Sequence, residues 1–282
     1  MLTAGELRAL LRAEGLRLTK RLGQHHLIDA RLIERIVDAS GVGGHDTVFE
    51  IGPGLGALTE SLAQRAGRVI AVEVDRRMCT LLSKRLAHLQ NVHVVCADVL
   101  GFDWERLGGV SVVGAIPYQL TSPILATLCE HRRLIGRAVL VVQREVAQRL
   151  TARPGTKAYG RLSVLGQYSW EITQVLSIPR CAFFPQPKVD SICLRFLPMA
   201  IPSVRVLDER AFFELVRLAF AHRRKTLANC LSDPRAGLLA RPEAQALLAG
   251  AGLPDGVRGE RLSVAQFARL ANALSIVKGA AR

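Results

Sequence analysis

The chain has 282 residues, 49% apolar and 22% charged, which is enough for one large domain plus a smaller one and too apolar for a disordered chain. Thirty-eight lysines and arginines against 24 acids leave a net charge of +14, favouring a polyanionic partner such as nucleic acid. No apolar run approaches the roughly 18 residues of a membrane-spanning helix, so a membrane is excluded as the expected setting.

In chain order, residues 2–20 predict an arginine-rich helix with leucines at 7, 10, 11 and 18, and 29–39 a second helix with Leu32, Ile33, Ile36 and Val37 on one face. The stretch before Gln24 lacks the apolar core of a signal peptide, and Glu6 and Glu14 speak against a transit peptide, so a cytoplasmic protein is expected. Strand patterns follow at about 47–51, 68–74, 92–97, 110–115 and 137–142, alternating with helical patterns at 56–66, 76–88, 122–131 and 144–151. That alternation predicts βαβ units and a mostly parallel sheet. After Pro154-Gly155 the rhythm stops, and runs at about 167–178 and 189–197 read as antiparallel strands closing the sheet. Pro198 and Pro202 bracket a linker, beyond which only helical patterns remain, at 208–221, 224–231, 242–250 and 263–277. The expected fold is α/β, a Rossmann-like domain over 1–202 followed by a small all-helical domain over 203–282.

The densest chemical signal is Glu50-Ile51-Gly52-Pro53-Gly54-Leu55-Gly56 after the first strand, with Glu73 closing the second strand 21 residues beyond Gly52. Glycines at a strand end let the backbone approach a ligand, and a carboxylate one strand later accepts hydrogen bonds from ribose hydroxyls. Gly52-x-Gly54-x-x-Ala57 also satisfies the dinucleotide pattern, but no hydride-transfer machinery follows it. A sulfonium nucleoside such as S-adenosylmethionine has no phosphate and needs glycines, a ribose acid and a group for the adenine amine. Gly52, Gly54, Glu73 and Asp98 supply these in order at successive strand ends. Glu73 as a solvated acid and Asp98 as a helix cap remain open beside that reading. The six cysteines show no C-x-x-C pair and read as small core residues of a reducing compartment. Adjacent His25 and His26 point different ways and make a poor metal pair, so no metal is expected.

At the fourth strand end stands Gly114-Ala115-Ile116-Pro117-Tyr118-Gln119, and with it the chain resembles the KsgA-type rRNA adenine N6,N6-dimethyltransferases of the bacterial small subunit. The resemblance also rests on Gly23-Gln24-His25, Gln143-Arg144-Glu145-Val146, Lys157 to Ser163, Phe184 to Ser191 and Arg223 to Leu227, so it spans about Gly23 to the last helix. It implies an S-adenosylmethionine-dependent enzyme that dimethylates two adjacent adenines in the 3′-terminal hairpin loop of 16S rRNA, in an immature 30S subunit. It implies that His25 and Leu27 close over the cofactor, that Gly52, Glu73 and Asp98 hold its methionine, ribose and adenine parts, and that Ala115 adjoins it. The same family logic has Ala115, Ile116 and Pro117 face the target amine while Tyr118 and Phe183 sandwich the extruded base. RNA contacts are expected at Arg144, Arg149, Lys157, Arg161, Lys188, Arg223, Arg224 and Lys225, within a basic stretch that from Arg132 to Arg161 holds eight cations and the single acid Glu145. No oligomer interface is legible, and a monomer is expected.

Two departures stand out. Ala115 occupies the family's Asn position, removing one acceptor at the reacting amine, a loss of about 2.7–4 kcal/mol by analogy with an oxyanion-hole donor. An engineered change, a natural member with lost activity that serves only as an assembly factor, and compensation by the Ile116 carbonyl or Gln119 all fit the residues. The second departure is His26, where the family has Phe.

Overall fold

In the computed structural model, residues 3–16, 18, 24–199, 205–235 and 237–280 are described, with the side chains of Tyr118 and residues 277–280 set aside. The chain divides into two compact units, Met1–Ala147 with Glu171–Pro198, and Gln148–Trp170 with Met199–Arg282. The boundary expected at 202 assigns residues 148–170 to the first domain, whereas in the structure they pack with the helical tail.

The first unit is built on a seven-stranded sheet, in which β2 (Thr47–Ile51), β3 (Arg68–Glu73), β4 (Val92–Cys96), β5 (Val110–Ala115) and β6 (Ile135–Gln143) run in the order β4-β3-β2-β5-β6. All four of these pairings are parallel. On the far side of β6 lies β9 (Ser191–Pro198), antiparallel to it, and then β7 (Trp170–Ile178) at the edge. The apolar runs Val48-Phe49, Val69 to Val72, Val112-Val113 and Ala138 to Val142 are buried, as expected of strands covered on both faces. Helices α2 (Ala30–Ser40), α3 (Ala57–Ala63), α4 (Arg76–Leu86) and α5 (Thr121–Glu130) fill the crossovers and approaches. Asp29 caps α2 by accepting from the Leu32 amide at 3.1 Å, and Gly41 ends it in the left-handed conformation at φ 60°. Asp75 caps α4 through the Arg77 amide at 3.0 Å.

The first helix, α1 (Ala4–Ala13), is shorter than the expected 2–20. A reciprocal Thr3–Glu6 box starts it and Gly15 at φ 62° follows its end, while residues 2, 17, 19 and 20 lie outside the described set. Its Leu7 and Leu11 pack with Leu55 of the glycine loop and with Met78 and Leu81 of α4. Sequence patterning also missed a two-residue pairing. His26-Leu27 (β1) runs antiparallel to Phe183-Phe184 (β8), with His26 opposite Phe184 and Leu27 opposite Phe183. Two residues carry no periodicity, so nothing local could have announced it.

In the second unit the helices α7 (Arg161–Ser169), α8 (Glu209–Ala219), α9 (Leu227–Leu231), α10 (Arg241–Gly250) and α11 (Val264–Ala280) surround Phe212, Leu215, Val216, Leu227, Leu231, Leu248, Phe267 and Leu270. The short α6 (Arg144–Leu150) crosses the division between units. α7 corrects the reading of 167–178 as strand throughout: Ser163 accepts from the Gly160 amide at 3.0 Å and starts a helix that ends only at Ser169. The expected helix over 224–231 begins three residues later, at Leu227, because Thr226 caps it through the Asn229 amide; Arg223 to Lys225 therefore lie in the preceding turn. Among the described residues no helix is long and apolar enough to cross a membrane.

Candidate active site

Parallel strands open their carboxyl ends onto one edge of a sheet, and the loops leaving β2, β3, β4 and β5 meet there. They enclose a cavity of about 680 Å³ lined by Gln24, His25, His26, Gly52, Gly54, Glu73, Ala97, Asp98, Ala115 and Pro117, with Leu120 and Ile124 closing it from the α5 side. Six expected cofactor positions, His25, Gly52, Gly54, Glu73, Asp98 and Ala115, are thus brought to one cavity. Leu27 is not among them. It is buried in the apolar core with Ile33, Val113 and Phe183, and lines a second, adjoining cavity of about 540 Å³.

The glycine loop is shaped by its backbone. Gly52 and Gly54 sit at φ 66° and 57°, where a side chain is strained, and a Cβ on Gly54 would come within 2.7 Å of the His26 ring. Glu73 is 7% exposed and is gripped by three amides. Its Oε1 accepts from Val74 and Asp75, each at 3.0 Å, and its Oε2 from Gly54 at 3.2 Å. Burial pushes its carboxyl above the ordinary range, against the pull of those amides and helped by the charge of Asp75. Three of its four acceptor sites are thus taken, and the remaining one lies on Oε2. Asp98 serves in both capacities left open by the sequence: its Oδ1 caps the turn through the Leu100 amide at 3.0 Å, and the residue lines the cavity.

The segment carrying His25 is held by the Phe-Pro loop, since His25 Nδ1 lies 2.6 Å from the Pro185 carbonyl. His26 beside it is 8% exposed, and burial, with a smaller push from His25, lowers its pKa to about 4, so the ring is neutral. Its Nε2 has no partner. Glu50, 1% exposed at the centre of β2, has an unpartnered Oε2, and burial raises its pKa to about 8 with a further push from Glu73 and opposition from the Thr59 hydroxyl. The sequence marks His26 as a departure from the family and Glu50 as the start of the glycine motif, but it assigns neither a role.

At the end of β5, Ala115 lines both cavities. The Ile116 amide donates to the Val141 carbonyl at 3.1 Å, and the Pro117 carbonyl accepts from Leu120 at 3.0 Å and from the Thr121 hydroxyl at 3.2 Å. Gln119 is exposed and lines neither cavity, so the compensating role considered for it has no support in this arrangement. The Tyr118 side chain lies outside the described residues. Phe183 is 5% exposed and packs in the core that also takes up Leu27 and Ala115, rather than standing free at the cavity mouth.

The cations divide by unit. In the first, Arg144 is ion-paired with Asp190 at 2.8 Å, while Lys188 is exposed. Arg137 pairs with Asp46 at 2.7 Å and lies opposite Ser111, at the start of β6. Arg132, Arg133 and Arg137 therefore lie at or just before the amino end of β6, away from the strand ends that line the cavity. In the second unit, Arg149 offers its carbonyl to Ser163, and Arg223 bridges the Lys157 carbonyl and the Glu260 carboxylate, the latter at 2.8 Å. Lys225 pairs with Asp233 at 3.2 Å, and Arg161 and Arg224 are exposed.

Comparison with known proteins places this geometry. Residues 15–275 match the family described as Ribosomal RNA adenine dimethylase. Ribosomal RNA small subunit methyltransferase A of Bacillus mycoides (strain KBAB4) is 44% identical over 273 residues, 94% of each chain, and that of Bacillus cereus (strain B4264) is equally similar. Among solved structures, a dimethyladenosine transferase from Plasmodium falciparum superposes with a TM-score of 0.74 at 26% identity, over 90% of this chain and 98% of that one. The 23S rRNA methyltransferase ErmE gives 0.64 at 31% identity, over 88% and 99%.

Proposed function

Because the chain belongs to the ribosomal RNA adenine dimethylase family, we propose that it dimethylates the N6 amines of two adjacent adenines in the 3′-terminal hairpin loop of 16S rRNA, using S-adenosylmethionine, within an immature 30S subunit. The observation that carries the cofactor assignment is the make-up of the larger cavity: Glu73 and Asp98 line it, and no Lys or Arg among its described lining residues could meet a phosphate. Acids without cations suit a positively charged sulfonium nucleoside and repel a dinucleotide pyrophosphate. The residues present fit the group. Glu73, fixed by three amides, would hold the ribose, Asp98 the adenine amine, and Gly52 and Gly54 would let the backbone lie against the methionine arm. His25, tied to the Pro185 carbonyl, would cover it with Leu27 beneath.

When bound, this cofactor supplies an electrophilic methyl group. The protein's task is to aim the adenine amine at it, because that amine's lone pair is delocalised into the ring. Acceptors on the amine protons oppose the delocalisation, and position and electrostatics carry the rate. Ala115 offers no side-chain acceptor, and the Pro117 carbonyl is already engaged twice, which leaves the Ile116 carbonyl for this part. Tyr118 and Phe183 would sandwich the extruded base, and stacking of this kind contributes roughly 1–3 kcal/mol per base. Phe183 starts from a buried position, so base entry would displace part of its packing. Arg144, Arg149, Lys157, Arg161, Lys188, Arg223, Arg224 and Lys225 would meet the rRNA backbone, with 203–282 as the main RNA-contacting domain of a monomer.

The test is transfer of labelled methyl groups to undermethylated small subunits, with the modified nucleotides mapped. Dimethylation of two neighbouring adenines near the 3′ end supports the reading. Methylation confined to large-subunit RNA or to an unrelated RNA overturns it.

A further inference from the structure

Between α6 and α7, residues 151–160 form neither helix nor strand, and with Arg161 they carry three exposed cations, Arg153, Lys157 and Arg161. A segment of this kind ordinarily loses its conformational freedom only on binding, which weakens the complex it makes. Here the backbone is fixed beforehand. Gln167 of α7 donates to the Leu150 and Ala152 carbonyls at 2.9 and 2.8 Å. The Gly155 amide donates to the Glu260 carbonyl at 2.7 Å, and the Tyr159 hydroxyl to the Leu262 carbonyl at 2.8 Å. Arg223 closes the frame, its Nη2 donating to the Lys157 carbonyl while its Nε donates to Glu260 Oε2 at 2.8 Å.

These bonds use the segment's backbone and the Tyr159 hydroxyl, so the side chains of the three cations are left to the surface. Tyr159 is 1% exposed with its ring edge-on to Phe220, and burial pushes its pKa up to about 12, so the hydroxyl remains a donor. Gly155 holds φ 82°, and a Cβ there would come within 3.1 Å of the Arg261 guanidinium, so the segment lies directly against the turn Gly259–Arg261. Glu260 is an acid placed beside a cationic surface, where by charge alone it opposes a polyanion. Its carboxylate instead holds the guanidinium whose other arm reaches the Lys157 carbonyl.

We propose that Glu260 and Tyr159 are positioning residues for the rRNA substrate, holding Arg153, Lys157 and Arg161 in one arrangement through Arg223 and the backbone of residues 151–160. The inference rests on the rRNA reading and adds two residues, neither of them a cation, on which substrate binding depends. A view from surface charge alone predicts the opposite sign. Removing Glu260 makes the chain more positive, and on that view every polyanion should bind at least as tightly as before.

The experiment measures binding of the full chain to undermethylated small subunits and to heparin, a polyanion with no RNA fold to recognise. Wild type, Glu260→Ala, Glu260→Gln and Tyr159→Phe are compared, each checked for unchanged circular dichroism at the assay temperature. E260A should bind small subunits roughly tenfold more weakly, the loss of about one charge-assisted contact, with heparin binding unchanged or tighter. E260Q has lost the same charge but keeps an acceptor for Arg223, so it should recover part of the loss. Y159F should weaken small-subunit binding by a smaller factor and leave heparin unchanged. The proposal is overturned if E260A binds small subunits as tightly as wild type or more tightly, if E260A and E260Q are weakened equally, or if both polyanions are weakened by the same factor. Should wild type transfer no methyl groups to small subunits, the rRNA reading itself falls, a result seen before any variant is compared.

Discussion

Glu50→Gln offers a prediction whose size follows from the raised pKa of a buried carboxyl. The carboxyl is 1% exposed at the centre of the sheet, and its pKa is raised from 4.5 to about 8. The folded state therefore holds this proton more tightly than the unfolded chain does. Below about pH 4.5 both states are protonated and there is no penalty; as pH rises towards 8, folding must forgo ionisation and stability falls. At pH 7 the carboxyl is held protonated across about 2.5 pH units, which at about 1.4 kcal/mol per unit is a penalty of about 3 kcal/mol. Above pH 8 the penalty levels off at about 5 kcal/mol by the same arithmetic. Glutamine keeps the shape and removes the titration, so any fixed cost of its amide is the same at every pH. Urea unfolding of both proteins should show the difference between E50Q and wild type shifting in favour of E50Q by about 4 kcal/mol from pH 5 to pH 9. A difference independent of pH would mean that Glu50 ionises normally and that its burial is offset within the fold.

Ala115→Asn restores a side-chain acceptor beside both cavities and should raise methyl transfer to small subunits by roughly 10²–10³, with little change in cofactor binding; an unchanged rate in single-turnover assays would show that the Ile116 carbonyl already suffices. Gly54→Ala places a Cβ against the His26 ring at a φ of 57°, so it should cost more than about 1 kcal/mol in thermal unfolding and weaken S-adenosylhomocysteine binding together. The tail cations should separate by their partners. Arg224→Ala should lower rRNA affinity and reduce its salt slope by about one with melting unchanged, whereas Arg223→Ala should also lower the melting temperature, because Arg223 links the Lys157 carbonyl to Glu260. Matching effects of the two on melting would contradict that division.

Much of this molecule is local and was legible as such. A strand buried on both faces needs an unbroken apolar run, and a strand end that receives a nucleoside needs glycine and then an acid. Thr47–Ile51, Arg68–Glu73 and Val110–Ala115, together with Gly52, Gly54, Glu73 and Asp98, therefore stand in the sequence almost as they stand in the structure. What depends on distant partners was not written there. The pairing of His26-Leu27 with Phe183-Phe184 joins residues more than 150 positions apart and rests on two-residue strands without period. The burial of Phe183, the commitment of Arg137 to Asp46 at the amino end of β6, and the placement of residues 148–170 with the helical tail likewise follow from contacts across the chain. Whether a charge is spent on structure, or a polar atom is left without a partner, is decided only when the surrounding surfaces close. Composition and spacing can name the chemistry, but solvent exclusion by the assembled fold sets which groups remain to perform it.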